Sequence, residues 1–122
     1  CYVDDPGGAP AFIDALSGHP AEVVRMRSSL PSDPALFSGV LITGSAASVN
    51  GDWPWVSPLC SFLRLCVSQS VPVLGVCFGH QVLAHAMGGQ VSRAASPEVG
   101  WVEIRKMDDG GLLSSLPDAF HC

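Results

Sequence analysis

The chain has 122 residues, of which 48% are hydrophobic and 14% charged, with a formal net charge of −5. That is enough for one small domain with a core, and too apolar for a disordered segment. Six Lys and Arg against eleven Asp and Glu, with no basic run, exclude an electrostatic nucleic-acid binder. No apolar stretch reaches the ~18 residues of a membrane span, and no signal peptide is expected in a chain that opens without a charged and then an apolar segment.

Residues 1–8 read as a loop. Pro10 to Leu16 carries Phe12, Ile13 and Leu16 at helical spacing and stops at Ser17-Gly18. Glu22 to Met26 reads as a short strand, and Leu30 to Phe37 as a turn-rich stretch. Gly39 to Thr43 is an apolar run of strand length, as expected of a strand covered on both faces. Gly44 to Asn50 is small and polar, a loop at that strand's carboxyl end. Within Pro54–Ser68, the residues Val56, Leu59, Cys60, Leu63, Cys66 and Val67 recur at intervals of three and four, which predicts an amphipathic helix. Pro58 falls in its first turns, where proline is tolerated. Val71 to Val76 reads as a second buried strand, and Gly79 to Met87 as a helix closed by Gly88-Gly89. Gln90–Arg93 and Gly100–Met107 read as strands, and the residues from Asp108 onward as weakly defined turns.

Strands that alternate with helices predict a parallel sheet with helices on both faces. In such sheets chemistry gathers beyond the carboxyl ends of the strands. The Gly44 loop and the turn at Cys77 both lie at such ends. The chain starts at Cys1 and stops at His121-Cys122 without a closing element, and it reads as a fragment of a longer frame.

Five cysteines, at positions 1, 60, 66, 77 and 122, give an odd count and no CxxC pair. Neither zinc spacing nor a disulfide scaffold is indicated, and reduced thiol chemistry in the cytosol fits best. Cys60 and Cys66 lie on the apolar stripe of a helix and read as small buried hydrophobes. Cys77 differs, because Gly75-Val76-Cys77-Phe78-Gly79 places it between a strand and a helix, in the manner of a nucleophile elbow. Small residues at i−2 and i+2 let the chain pass close to itself. A thiolate there would sit at a helix N-terminus, and the N–H of Phe78 could hold an oxyanion.

Four blocks, in order, carry a resemblance. They are Val40-Leu41-Ile42-Thr43-Gly44-Ser45-Ala46-Ala47-Ser48-Val49, then Pro72-Val73-Leu74-Gly75-Val76-Cys77-Phe78-Gly79-His80-Gln81, then Gly88-Gly89, then Glu98-Val99-Gly100-Trp101. Together they resemble the class I glutamine amidotransferase family, and the Cys-Phe-Gly-His-Gln form is most similar to its stand-alone, γ-glutamyl peptidase-like members. The resemblance implies an α/β three-layer sandwich, flavodoxin-like, with a mostly parallel sheet incomplete at both ends, and residues 1–122 as part of one glutaminase domain. It implies Cys77 as the nucleophile that forms a γ-glutamyl thioester, with an oxyanion hole from the N–H of Phe78 and one from Gly44-Ser45. It implies Gln81 as a substrate-holding residue, and Val99-Gly100-Trp101 as backbone lining the α-amino and carboxylate end of glutamine. It implies no cofactor and no metal. The partners would be glutamine or another γ-glutamyl compound and, in an amidotransferase proper, an ammonia-accepting synthase.

One departure from the family pattern weighs on activity. The family's activating histidine comes from a His-Pro-Glu stretch, and none occurs in this sequence. His19 precedes Pro20 but not a glutamate and comes too early, while His80 and His85 share the helix after Cys77 and His121 lies at the chain end. His80 reads as structural, because a residue so close on a tight turn rarely reaches attack geometry. The rival expectation is therefore a catalytically inactive fragment, or a pseudo-enzyme that binds γ-glutamyl compounds or a partner protein. Trp53 and Trp55, which bracket Pro54, read as packing over a helix start.

Overall fold

The computed structural model describes residues 8–25, 29–96, 100–108 and 111–121. The chain divides into two compact units, Cys1–Ser92 and Arg93–Cys122. In the first unit, helix α1 (Gly8–Ala15) ends at Ser17 and Gly18, both with positive φ, and a 3₁₀ turn (Pro34–Leu36) follows. Asp33 caps that turn, its carboxylate accepting the Ala35 N–H at 3.0 Å. Then come strand β1 (Val40–Ile42), helix α2 (Val56–Ser68), strand β2 (Val73–Gly75) and helix α3 (Phe78–Ala86).

β1 and β2 pair in parallel, with Val40 opposite Val73, Leu41 opposite Leu74 and Ile42 opposite Gly75. Two bonds prolong the ladder, Val40 N–H to Pro72 O and Val76 N–H to Ile42 O, each 2.8 Å. α2 and α3 pack on each other and on this pair. Its 3.6-residue stripe is why α2 buries Val56, Leu59, Cys60, Leu63 and Cys66. Pro58, its third residue, lacks an N–H where no intrahelical acceptor exists anyway. Gly88, at φ 87°, stops α3 in the left-handed region, and the Gly89 N–H returns to Ala84 O at 2.8 Å. Arg64 of α2 donates to Ala86 O at 3.1 Å, a cation on the carbonyl end of α3. Ile42, Leu59, Leu63, Cys66, Phe78 and Val82 form the centre of the core.

The second unit contains an antiparallel pair, β3 (Glu103–Arg105) with β4 (Ala119–His121), joined through a 3₁₀ turn at Gly111–Leu113. Lys106 fastens it from both ends: its N–H donates to Asp118 O at 2.8 Å, and its ammonium donates to Leu116 O at 3.0 Å.

The expected α/β alternation is present from β1 to α3, and several local expectations are corrected. Of the strand expected over Glu22–Met26, Arg25 forms only an isolated bridge and Met26 lies outside the described residues. Gln90–Arg93 forms no strand, since Val91 packs against the core and its carbonyl accepts a side-chain amide in place of a neighbouring strand. The strand expected over Gly100–Met107 shortens to Glu103–Arg105, and its partner is antiparallel. The supposed loose end after Asp108 contains that partner. β2 is not buried on both faces: Leu74 is 43% exposed, because the helices contact the opposite face, where Ile42 and Gly75 lie.

Two predictions follow from this packing. A Cβ on Gly79 would fall on the Ile42 carbonyl, which is backbone and cannot give way. Gly79→Ala should lower stability by roughly 1–3 kcal/mol or more in urea unfolding, whereas Gly88→Ala, in open space but at positive φ, should cost about 1 kcal/mol; equal losses would refute the close approach. The second concerns pH. Burial pushes the Cys60 and Cys66 thiols up, opposed at Cys60 by Arg64 and at Cys66 by a backbone hydrogen bond. A folded pKa raised above the unfolded value of about 8.5 stabilises fully below that pH and is lost as pH rises through the raised values. Urea midpoints should therefore fall more steeply from pH 8 to 10 in the native chain than in Cys66→Ala; parallel slopes would contradict the burial effect.

Candidate active site

Cys77 is the residue at which β2 turns into α3, and it is the N-cap of that helix. Its φ of 55° and ψ of −113° lie where a side-chain-bearing residue is strained by about 1–3 kcal/mol. The neighbouring glycines explain why the strain persists. A Cβ on Gly75 would fall on the Gly79 carbonyl and lie 2.6 Å from the His80 nitrogen, and one on Gly79 would fall on Ile42. The chain therefore crosses itself with no space to spare, and only glycine fits on either side of the cysteine. Gln81 N–H to Cys77 O at 3.1 Å and Gly79 N–H to Val76 O at 2.9 Å lock the turn.

This turn presents the thiol outward. Cys77 is exposed, while Cys60 and Cys66 are buried as the sequence predicts. The parallel register of Ile42 with Gly75 brings the residue two beyond β1 level with the residue two beyond β2. Gly44 accordingly lies beside the cysteine: a Cβ built on Gly44 would be 3.5 Å from Cys77 Cβ and 3.8 Å from its Sγ. Among the described residues, the N–H groups of Gly44, Ser45 and Phe78 have no acceptor. The Phe78 N–H is free because the first residues of a helix lack an intrahelical acceptor. The Ser45 hydroxyl is turned into its own loop, accepting the Ala47 N–H at 3.0 Å. Backbone N–H groups without an acceptor are the kind of donor that can stabilise negative charge on a ligand oxygen.

The Phe78 ring points the other way, into the core, with 1% of the residue exposed. Trp55 meets it edge-on at 5.5 Å and 63°, and Trp53 lies 6.1 Å from Trp55, so the tryptophans pack as expected. Gln81 is exposed, one helical turn beyond Cys77 and on the same side of α3. His80 and His85 are also exposed on α3, and among the described residues no side chain hydrogen-bonds the Cys77 thiol. Of the expected substrate-lining segment, Val99 lies outside the described residues. Gly100, at φ 112°, and Trp101 belong to the second unit, where Trp101 is 82% exposed. Cys77, Phe78, Gly44, Ser45 and Gln81 all belong to the first unit, with Gly44 beside Cys77 and the Gln81 N–H bonded to the Cys77 carbonyl. A shallow groove lined by Val24, Arg25, Leu30, Pro31 and Phe37 contains none of them.

Two long-range contacts of the first unit had no signature in the sequence. Asn50 donates through Nδ2 to Val91 O at 2.9 Å, and Arg64 reaches Ala86 O. Both acceptors are backbone carbonyls far along the chain, and a carbonyl has no letter in a sequence. No helix among the described residues is long and apolar enough to cross a membrane.

Comparison with known proteins bears on this geometry. The chain is 39% identical over 83 residues to a GMP synthase [glutamine-hydrolyzing] of Aeropyrum pernix, covering 68% of this chain and 15% of that protein. It is 40% identical over 58 residues to gamma-glutamyl peptidase 4 of Arabidopsis thaliana, covering 48% of this chain and 23% of that one. A solved glutamine amido transferase from Methylobacillus flagellatus superimposes with a TM-score of 0.72 at 40% identity, over 81% of this chain and 40% of that one. The fold is therefore the flavodoxin-like α/β fold expected from the sequence. The chain spans less than a third of the length of the two sequence relatives. The sequence profile of the family described as glutamine amidotransferase class-I matches residues 15–121, and the chain belongs to that family.

Proposed function

We propose that Cys77 is the nucleophile of a reaction that hydrolyses the side-chain amide of glutamine, or a γ-glutamyl bond, through a thioester, and that residues 1–122 are part of a glutaminase domain. The observation that carries this reading is the strained Cys77 turn with Gly44 beside it, where the N–H groups of Gly44, Ser45 and Phe78 have no acceptor among the described residues. Family membership supports it.

In this reading the Cys77 thiolate attacks the γ-carbonyl carbon, a C–S bond forms, and the carbonyl electrons move onto oxygen. The N–H of Phe78, with one from Gly44 or Ser45, receives that oxyanion. Its collapse breaks the C–N bond and releases ammonia, or an amine from a γ-glutamyl peptide, with a proton supplied by a general acid. Water then attacks the thioester, and glutamate leaves with the thiol restored. Gln81 holds the substrate from the same side of α3 as Cys77. The chemistry needs no metal or cofactor, and a nucleophilic thiol suits a reducing cytosol.

The proton relay that the family resemblance gives to a histidine is assigned to none of His19, His80, His85 or His121. The names of the relatives offer two substrate classes. Glutamine with a synthase partner taking the ammonia follows from the GMP synthases, among them the separate glutamine-hydrolyzing synthase subunits of Ignicoccus hospitalis and Methanococcus maripaludis. A γ-glutamyl peptide with no partner follows from the peptidases. The absence of any described side chain on the Cys77 thiol favours one further reading, a chain that binds γ-glutamyl compounds without cleaving them.

Two measurements separate these readings. The 122-residue chain is expected to release ammonia from glutamine no faster than its Cys77→Ala variant, and Cys77-dependent release would show that the base lies within it. A chloromethyl ketone analogue of glutamine, followed by peptide mass spectrometry, is expected to label Cys77 and leave Cys60 and Cys66 unmodified. Equal labelling of all three would overturn the formed pocket.

A further inference from the structure

The loop at the carboxyl end of β1 is held from within by its own serines. The Ser45 hydroxyl accepts the Ala47 N–H at 3.0 Å, and the Ser48 hydroxyl accepts the Asn50 N–H at 3.3 Å. The Gly51 N–H returns to Ser48 O at 3.0 Å, which closes a turn. These bonds set the shape of the loop and leave its position open. Position comes from two anchors at its far end. Val49 is buried in the core, and Asn50 reaches across 41 residues to donate to Val91 O at 2.9 Å.

Val91 is itself fixed. It packs against the core just after the Gly88-Gly89 stop that ends α3. The Asn50 bond therefore joins the loop bearing Gly44 and Ser45 to the segment that leaves α3, and α3 begins at Cys77 and Phe78. At the near end, the β1–β2 ladder joins the same two parts of the chain. With the Asn50 bond the far end of the loop is fixed in direction as well as in depth, and without it buried Val49 alone holds that end.

We infer that Asn50 is a positioning residue, whose amide fixes the Gly44-Ser45 donors against Cys77 through its bond to Val91 O. The inference rests on the oxyanion role proposed above. A misplacement on the order of 1 Å in such a group costs about a hundredfold in rate, and loss of one donor costs about as much. The thiol does not depend on the bond, because the strain at Cys77 is set by Gly75 and Gly79.

The test compares two reagents on the 122-residue chain. A glutamine chloromethyl ketone alkylates Cys77 with loss of chloride, and its ketone oxygen occupies the position of the oxyanion. An aromatic disulfide exchanges with the same thiol and has no carbonyl. In the native chain the ketone-to-disulfide rate ratio at Cys77 is expected to exceed that of free cysteine. Asn50→Leu, close in shape and without an amide, should lower that ratio by about tenfold or more at an unchanged disulfide rate. Asn50→Gln, which keeps an amide donor, should recover part of it. An unchanged ratio in Asn50→Leu overturns the positioning role and leaves the nucleophile intact. A native ratio no higher than that of free cysteine overturns the oxyanion reading itself. If Cys60 and Cys66 become reactive in Asn50→Leu, the bond holds the fold and not the donors, and the inference fails.

Discussion

The first unit depends on one close approach, that of helix α3 to the parallel pair beneath it. Gly79 sits where any side chain would strike the Ile42 carbonyl, and Gly75 sits where one would strike Gly79. Two strands and a helix meet backbone to backbone there. The residue between the glycines has no room to adopt an ordinary conformation, and Cys77 takes the strained one. The same approach buries Phe78 and Val82 against Ile42 and the α2 stripe. Packing energy from that core is what holds the strained residue in place.

The contrast among the cysteines follows from position and not from residue type. Cys60 and Cys66 face the core from α2, where loss of hydration disfavours the thiolate. Cys77 is held outward at the start of α3. Its surroundings are built largely of backbone: the end of one strand, the start of one helix and a short loop. The loop's own serines brace it from within, and the Asn50 amide ties it to the Val91 carbonyl.

Much of this was legible in the chain. The spacing of Leu59, Cys60, Leu63 and Cys66 marked both the helix and its buried face, because helical periodicity is written in consecutive residues. Gly75, Cys77 and Gly79 marked the turn, because only a close backbone approach demands glycine on both sides of a larger residue. The β-branched residues of Glu22–Met26 and Gln90–Arg93 misled for one reason. A strand exists through its neighbour, and residue type does not say whether a neighbour is present. Leu74 misled similarly, since an apolar residue in a strand does not reveal whether its face is covered.

The sequence by itself determined where the strand–turn–helix lies, which cysteine it presents and which family the four blocks resemble, because each is encoded in local spacing. The tertiary structure alone decided that β1 and β2 are neighbours in a register that sets Gly44 beside Cys77. It alone decided that β3 and β4 run antiparallel and that the Asn50 amide finds the Val91 carbonyl. These are contacts between backbone groups far apart along the chain. Backbone is the same at every residue, so its partners become visible only when the chain is folded.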